Sequence, residues 1–281
     1  MGGGPNLLRG AWRYGRLYGP DWAAAAVLVT CDGGMQLAFD PFEQEVFADD
    51  AALRYPMLAS EVPTWLLALL CVLVPAAAFA LATPWWRPRR LWALHNAVLA
   101  LVASVVLALL CTDFLKLFCG QPRPDFLARL ATGDAGSIRE GRLAFPSGHA
   151  SISMAAMATA SLVLMGRMRV FDARRGALWK LGLALAPVVV SVVVGGTRYR
   201  DNHHTPADIA CGWGLGLVCA LLGHLVYFAP AWGPRAGRPH RDLLRRRPVL
   251  DEADEADGSD GSAAAIDPES GRRPASARTA G

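Results

Sequence analysis

Six stretches of this chain are built almost entirely from apolar residues, and the polar segments between them differ sharply in charge. The apolar stretches are residues 21–39, 62–82, 91–115, 147 or 150 to 165, 181–195 and 206–228. A helix needs ~20 such residues to cross the hydrocarbon core of a bilayer, so the pattern predicts an all-α membrane protein with six transmembrane helices. The first stretch is the weakest, because Asp32, Gly33 and Gly34 interrupt it. An acid at mid-span costs about 2.5–3.5 kcal/mol on insertion scales. The last stretch carries Gly212, Gly214 and Gly216, which predict close helix contact. The chain then divides into an N-terminal segment 1–20, a six-span domain 21–228 and a tail 229–281.

Charge orients these spans. Arg9, Arg13 and Arg16 precede the first span without an acid among them. Arg87, Arg89 and Arg90 follow the second, beside Trp85 and Trp86. Arg167, Arg169, Arg174, Arg175 and Lys180 follow the fourth, and Arg235, Arg238, Arg241 and Arg245–Arg247 open the tail. With six spans, these four basic segments share one side, which the positive-inside rule makes cytosolic. Residues 40–62 carry Asp40, Glu43, Glu45, Asp49, Asp50 and Glu61 against Arg54 alone. That loop falls on the lumenal or external side, with the loops 116–146 and 197–205. Removing the first span would place the basic N-terminus on the wrong side, so it is retained despite Asp32. Beyond its basic start the tail turns acidic and then rich in Gly, Ser and Ala, a composition that predicts disorder.

Composition agrees with this picture. The chain is 53% hydrophobic and 19% charged, more apolar than an ordinary soluble domain. Its six cysteines show no metal-ligand spacing and are read as small buried hydrophobes. The first twenty residues lack the apolar core of a cleavable signal, and Asn6 breaks the myristoylation pattern that Gly2 would begin.

Three stretches on the outer side carry candidate chemistry. At the end of the third span, Lys116 supplies a point cation and Arg123 a planar fork matched to phosphate oxygens, with Gly120, Pro122 and Pro124 breaking the helix around it. Pro146-Ser147-Gly148-His149 opens the fourth span. The first turn of a helix offers unpaired N–H groups and a positive dipole end, a natural anion seat, and a histidine there can carry a proton near neutral pH. The third stretch runs from Thr197 to Asp208. It contains Arg198, His203 and His204, with Asp208 four residues beyond His204, so that its carboxylate can fix the imidazole tautomer. Taken singly, these are ordinary interface anchors and helix-start residues. Together they give three cations, histidines, an orienting carboxylate and a helix N-terminus, an inventory for phosphoryl transfer in which one histidine attacks in line and another protonates the leaving oxygen. No Cys or Glu set at ligand spacing accompanies the adjacent histidines, so no metal site is expected.

Lys116-x6-Arg123-Pro124, Pro146-Ser147-Gly148-His149 and Arg198-x5-His204-x3-Asp208 resemble the three-part signature of the type 2 phosphatidic acid phosphatase and vanadium haloperoxidase superfamily. Thr197 stands where that signature usually has Ser, and it keeps the hydroxyl. Pro41-Phe42, Phe47, Asp49-Asp50 and Tyr55-Pro56 are similar to the lipid phosphate phosphatase branch, and the likeness covers roughly residues 20 to 228. The resemblance implies a helical-bundle acid-phosphatase-like core and a Mg2+-independent, membrane-bound phosphatase with its site facing the lumen or exterior. It implies His204 as nucleophile, Asp208 as its orienter and His149 as acid and then base. Lys116, Arg123, Pro146, Ser147, Gly148 and Arg198 would form the phosphate seat. The implied substrates are phosphatidate, lysophosphatidate, diacylglycerol pyrophosphate and sphingoid phosphates. The expected partners are the bilayer and a lipid phosphate within it, with no nucleic acid and no cofactor, and nothing in the sequence calls for an oligomer. A polyprenyl diphosphate phosphatase, a sugar phosphatase or a non-catalytic lipid-phosphate binder would use the same stretches.

Overall fold

The computed structural model describes residues 4–83 and 90–240. The tryptophan-containing basic loop 84–89 and the tail beyond residue 240, with its charged and low-complexity segments, lie outside the described residues, as do the side chains of Arg9 and Arg13. The described residues form helices α1 (Gly4–Ala38), α2 (Thr64–Ala82), α3 (Arg90–Cys119), α4 (Phe126–Thr132), α5 (Ala135–Gly141), α6 (Gly148–Met168), α7 (Leu178–Arg200) and α8 (Pro206–Tyr227).

Five of these, α2, α3, α6, α7 and α8, are long and apolar enough to cross a membrane. The chain is therefore an all-α, multi-pass membrane protein. The first expected span lies within α1, which begins far upstream of residue 21 and runs unbroken through Asp21, Asp32 and the Gly33-Gly34 pair. Those polar and small residues keep α1 out of the set of five. Asp32 itself is buried, within Coulombic reach of Asp113 and Lys116 of α3. Higher on α1, Tyr18 is buried and its hydroxyl accepts a hydrogen bond from Asn96 Nδ2 at 3.0 Å.

Helix α6 is the axis of the bundle. Within its most apolar 18-residue window 89% is buried, against 28% to 39% in the other four apolar helices. The sequence explains the difference. Ala150, Ser151, Ser153, Ala155, Ala156, Ala158 and Ala160 give α6 a small-residue surface on nearly every side, so α2, α3, α7 and α8 all pack against it. Gly212 and Gly216 bring α8 to van der Waals contact with the α6 backbone near Ser147 and Ser151, and Gly223 does the same against Ser104 of α3. Gly214, expected to join them, has no such neighbour. Hydroxyl pairs join the helices inside the bundle: Thr112 with Ser151 at 2.7 Å, Ser104 with Thr159 at 2.8 Å and Ser153 with Ser191 at 2.8 Å. Each satisfies a polar group that hydrocarbon could not solvate.

The helix ends differ from the expected boundaries. Helix α3 continues through Lys116 to Cys119, and α7 continues through Thr197 to Arg200. Lysine and arginine are good helix formers, and their charge in a last turn complements the negative end of the helix dipole. The loop after α3 is itself partly helical, holding α4 and α5. Residues 229–240, expected as the start of the tail, fold back instead. Phe228 bridges to Pro239, Ala229 and Ala231 are buried, and Gly237 packs against Gly166 at the end of α6. Of the cysteines, only Cys71 and Cys219 are buried. Cys111 and Cys119 are half-buried, and Cys31 and Cys211 are exposed on apolar helix faces.

Candidate active site

Strict alternation of direction brings the C-terminal ends of α3 and α7 to the same end of the bundle as the N-terminal ends of α2, α6 and α8. The three stretches singled out in the sequence meet there.

Lys116 lies in the last turn of α3, with its ammonium 3.6 Å from Asp113 Oδ1. It rests on Gly148, where any Cβ would sit only 3.0 Å from Lys116 Nζ. A cation therefore stands directly at the N-terminus of α6. Gly120, at φ +58°, then turns the chain, and the Phe42 backbone fills the space a side chain there would need. The following segment is held extended by two backbone bonds, Arg123 N to Gly141 O at 2.8 Å and Ala144 N to Gln121 O at 3.0 Å. Arg123 is buried. One of its terminal nitrogens meets Glu140 at 3.1 Å, while its Nε has no partner. Burial pushes Glu140 up, but Arg123 and Arg129 outweigh it and hold its carboxyl below the ordinary value. Arg129 is itself paired with buried Asp125 at 2.9 Å.

Pro146, reached through a cis peptide, is buried, and Ser147 is the N-cap of α6. Its backbone N donates to Asp208 O at 3.1 Å and so ties α6 to the first turn of α8. Its hydroxyl makes no capping bond, and although fully buried it has no partner. His149, one residue into the helix, donates from Nε2 to the Val62 carbonyl at 3.0 Å. That contact assigns the Nε2–H tautomer and leaves Nδ1 as the free ring nitrogen.

Arg198 is buried in the last turn of α7. Its Nη2 meets Asp201 Oδ2 at 2.7 Å, its Nε and Nη2 meet Thr197 Oγ1 at 3.3 and 3.2 Å, and its Nη1 donates to Ser60 Oγ. The threonine that replaces the usual serine thus uses its hydroxyl to hold the guanidinium. Asn202, at φ +61°, reverses the chain and delivers His203 and His204 into the protein, both buried.

His204 faces Asp208 with Nδ1 and Oδ2 3.9 Å apart, beyond hydrogen-bond reach. Asp208 Oδ2 instead accepts from Thr205 N at 2.8 Å, closing a capping box whose other bond runs from Asp208 N to Thr205 Oγ1, and its Oδ1 accepts from Gln121 Nε2 at 3.2 Å. Asp208 therefore fixes the helix start that carries His204 rather than bonding its ring. Burial, then the charges of Arg123 and Lys116, holds the His204 imidazole well below its ordinary range. It is neutral at pH 7, the state in which a ring nitrogen can attack. The same two cations and Arg198 also act on His149. Lys116, Arg123, Pro146, Ser147, Gly148, His149, Arg198, His204 and Asp208 are thus gathered at one end of the bundle.

Four further groups join them that sequence reasoning passed over: Gln121, Glu140, Asp201 and the segment 60–62. Only Asp201 left a signal, as an acid three residues after Arg198 on a helix.

Residues 97–232 match the PAP2 superfamily. The chain is 33% identical to Lipid phosphate phosphatase 2 of Arabidopsis thaliana over 80% of its own length and 82% of the relative's. It is 28% identical to the Probable diacylglycerol pyrophosphate phosphatase 1 of Schizosaccharomyces pombe over 75% of this chain and 80% of that one. It is 29% identical to Phospholipid phosphatase 1 of Rattus norvegicus over 65% and 74%, respectively. No solved structure matches it at a significant level.

Proposed function

The chain belongs to the PAP2 superfamily, on its lipid phosphate phosphatase branch, and from that premise we propose that it hydrolyses phosphatidate and related lipid phosphomonoesters and pyrophosphates through a phosphohistidine on His204. One observation carries the reading. Ser147 Oγ and Arg123 Nε are buried without hydrogen-bond partners beside Lys116 and the N-terminus of α6, with the buried His204 ring within Coulombic reach of both cations. Buried polar groups are ordinarily satisfied, and a cluster that is not suits a ligand with several oxygens and a negative charge.

In the reaction, Lys116, Arg123, Arg198 and the first N–H groups of α6 take the non-bridging phosphate oxygens. The neutral His204 attacks phosphorus in line, forming the N–P bond as the bond to the lipid oxygen breaks. His149 gives its proton to that oxygen. The incoming dianion supplies the negative charge that an imidazolium needs among three cations. In the second step His149, now neutral, takes a proton from water, which displaces phosphate and regenerates His204. Fixed cations and backbone donors carry the equatorial charge, so the cycle is expected to run without Mg2+.

We further propose that α1 is a sixth span, with both termini cytosolic and the site lumenal or external, a reading supported by the distribution of arginines. Thiol labelling of Cys119 from the outer side only is expected; labelling from the cytosolic side only contradicts it.

The activity is tested by phosphate release from phosphatidate, lysophosphatidate, sphingosine phosphate and polyprenyl diphosphate in mixed micelles, with and without EDTA. Release from phosphatidate that survives EDTA is expected. Loss in EDTA restored only by Mg2+ removes the metal-free mechanism. Release from the polyprenyl substrate alone moves the protein to that class.

A further inference from the structure

The segment just before α2 was legible in the sequence only as the end of an acidic loop. In the structure three consecutive residues of it each hold a different part of the site. Ser60 Oγ accepts from Arg198 Nη1 and donates to the Val62 carbonyl at 3.1 Å. The Glu61 N–H donates to Asp201 Oδ2 at 3.0 Å, and the Glu61 carboxylate meets Arg200 at 3.0 Å. The Val62 carbonyl accepts from His149 Nε2 at 3.0 Å. Asp201, buried, closes the circuit through its bond to Arg198.

Read as a chain of donors and acceptors, the contacts are continuous. Asp201 accepts from Arg198, Arg198 donates to the Ser60 hydroxyl, that hydroxyl donates to Val62 O, and Val62 O also accepts from His149. The hydroxyl is the side-chain atom that bonds both the guanidinium and the carbonyl holding the imidazole, alongside the backbone tie from the Glu61 N–H to Asp201. A guanidinium carries five N–H donors. Thr197, Asp201 and Ser60 occupy both ends of the Arg198 fork, so the plane of the group is set before substrate arrives. The same chain sets the tautomer of His149.

We propose that Ser60 is a positioning residue that couples the phosphate-binding Arg198 to the proton-carrying His149, with Asp201 as its anchor on the far side of the guanidinium. The proposal rests on the phosphatase reading of the site. Ser60 touches neither phosphorus nor the leaving oxygen. It acts by keeping two groups that must work in one step in fixed relation, so its loss costs turnover more than substrate affinity.

The test compares Ser60→Ala, Ser60→Thr and the near-isosteric Ser60→Cys with the unmodified protein on phosphatidate, alongside thermal stabilisation by inorganic phosphate. Ser60→Ala is expected to lower kcat about 10- to 100-fold with KM changed less than about threefold. Ser60→Thr, which keeps the hydroxyl, is expected to restore most of the loss, and Ser60→Cys to fall between. The apparent affinity for inorganic phosphate read from that stabilisation is expected to weaken by no more than about the same threefold in Ser60→Ala and to recover in Ser60→Thr. Unchanged kcat together with unchanged phosphate stabilisation in Ser60→Ala overturns the proposal, as does a loss that Ser60→Thr fails to rescue. If Ser60→Ala does not fold, Ser60→Cys carries the same comparison. If the unmodified protein releases phosphate from no lipid, the phosphatase reading fails, while the phosphate stabilisation still decides the role of Ser60.

Discussion

Two polar regions of this bundle are made from similar residues and are wired in opposite ways. Between α3, α6 and α7 the hydroxyls of Thr112, Ser151, Ser104, Thr159, Ser153 and Ser191 bond one another across helix interfaces. Four residues before Ser151, at the end of the same helix, the Ser147 hydroxyl is equally buried and has no partner, nor does Arg123 Nε. The paired hydroxyls remove polar groups from hydrocarbon and lock helices together. Unpaired buried atoms also occur within the bundle, Ser161 Oγ and both ring nitrogens of His224 among them, but Ser147 Oγ and Arg123 Nε lie where cations gather and where α6 presents its first N–H groups. An unsatisfied buried donor costs about 1–3 kcal/mol, so a cluster of them persists where a ligand is to complete it.

That contrast can be broken by substitution on either side. The largest effect is expected at the site: His204→Ala should lower phosphatidate hydrolysis by at least about 10³-fold, with the protein still inserted and its thermal midpoint little changed. Full activity in that variant would remove the mechanism. Arg198→Ala should cost roughly 10²–10³-fold in turnover, the range for removing one preorganised group that stabilises transition-state charge. An effect confined to expression level would make Arg198 structural. The smallest effect belongs to the bundle. Thr112→Val deletes one hydroxyl of the pair with Ser151 and should cost roughly 0.6–2 kcal/mol of stability, the range for interhelical hydrogen bonds in membranes, with turnover per folded molecule within about twofold. A large fall in turnover there, at unchanged stability, would erase the distinction between the two regions.

The site was largely legible in the sequence because its members sit in three short stretches at the ends of apolar runs. Lys116, His149 and Arg198 each fall in the first or last turn of a helix, where apolar length alone predicts a membrane edge. What escaped notice depended on contacts between distant stretches. Ser60 and Arg198 are 138 positions apart, and no local pattern links them. Asp208 illustrates a different limit. Its spacing suits both a bond to His204, four residues back, and a capping box with Thr205, three residues back. In the structure Oδ2 accepts from the Thr205 N–H and Oδ1 from Gln121, and the His204 ring stands 3.9 Å away. The helix count was hard to read for a physical reason as well. Asp32 lowers the apolarity of its stretch, yet the residue is buried toward Asp113 and Lys116 rather than facing outward, a packing relation that hydropathy along the chain does not contain.

The most direct test of the account is to look for the phosphoryl group on His204 itself. The unmodified protein and His149→Asn, which lacks both the step-one acid and the step-two base, are quenched early in turnover of phosphatidate labelled in its phosphate and mapped by mass spectrometry. The account predicts an acid-labile, base-stable phosphate on the peptide containing His204, absent from the His204→Ala variant. Phosphate release by the unmodified protein with no label on His204 in either background would contradict it.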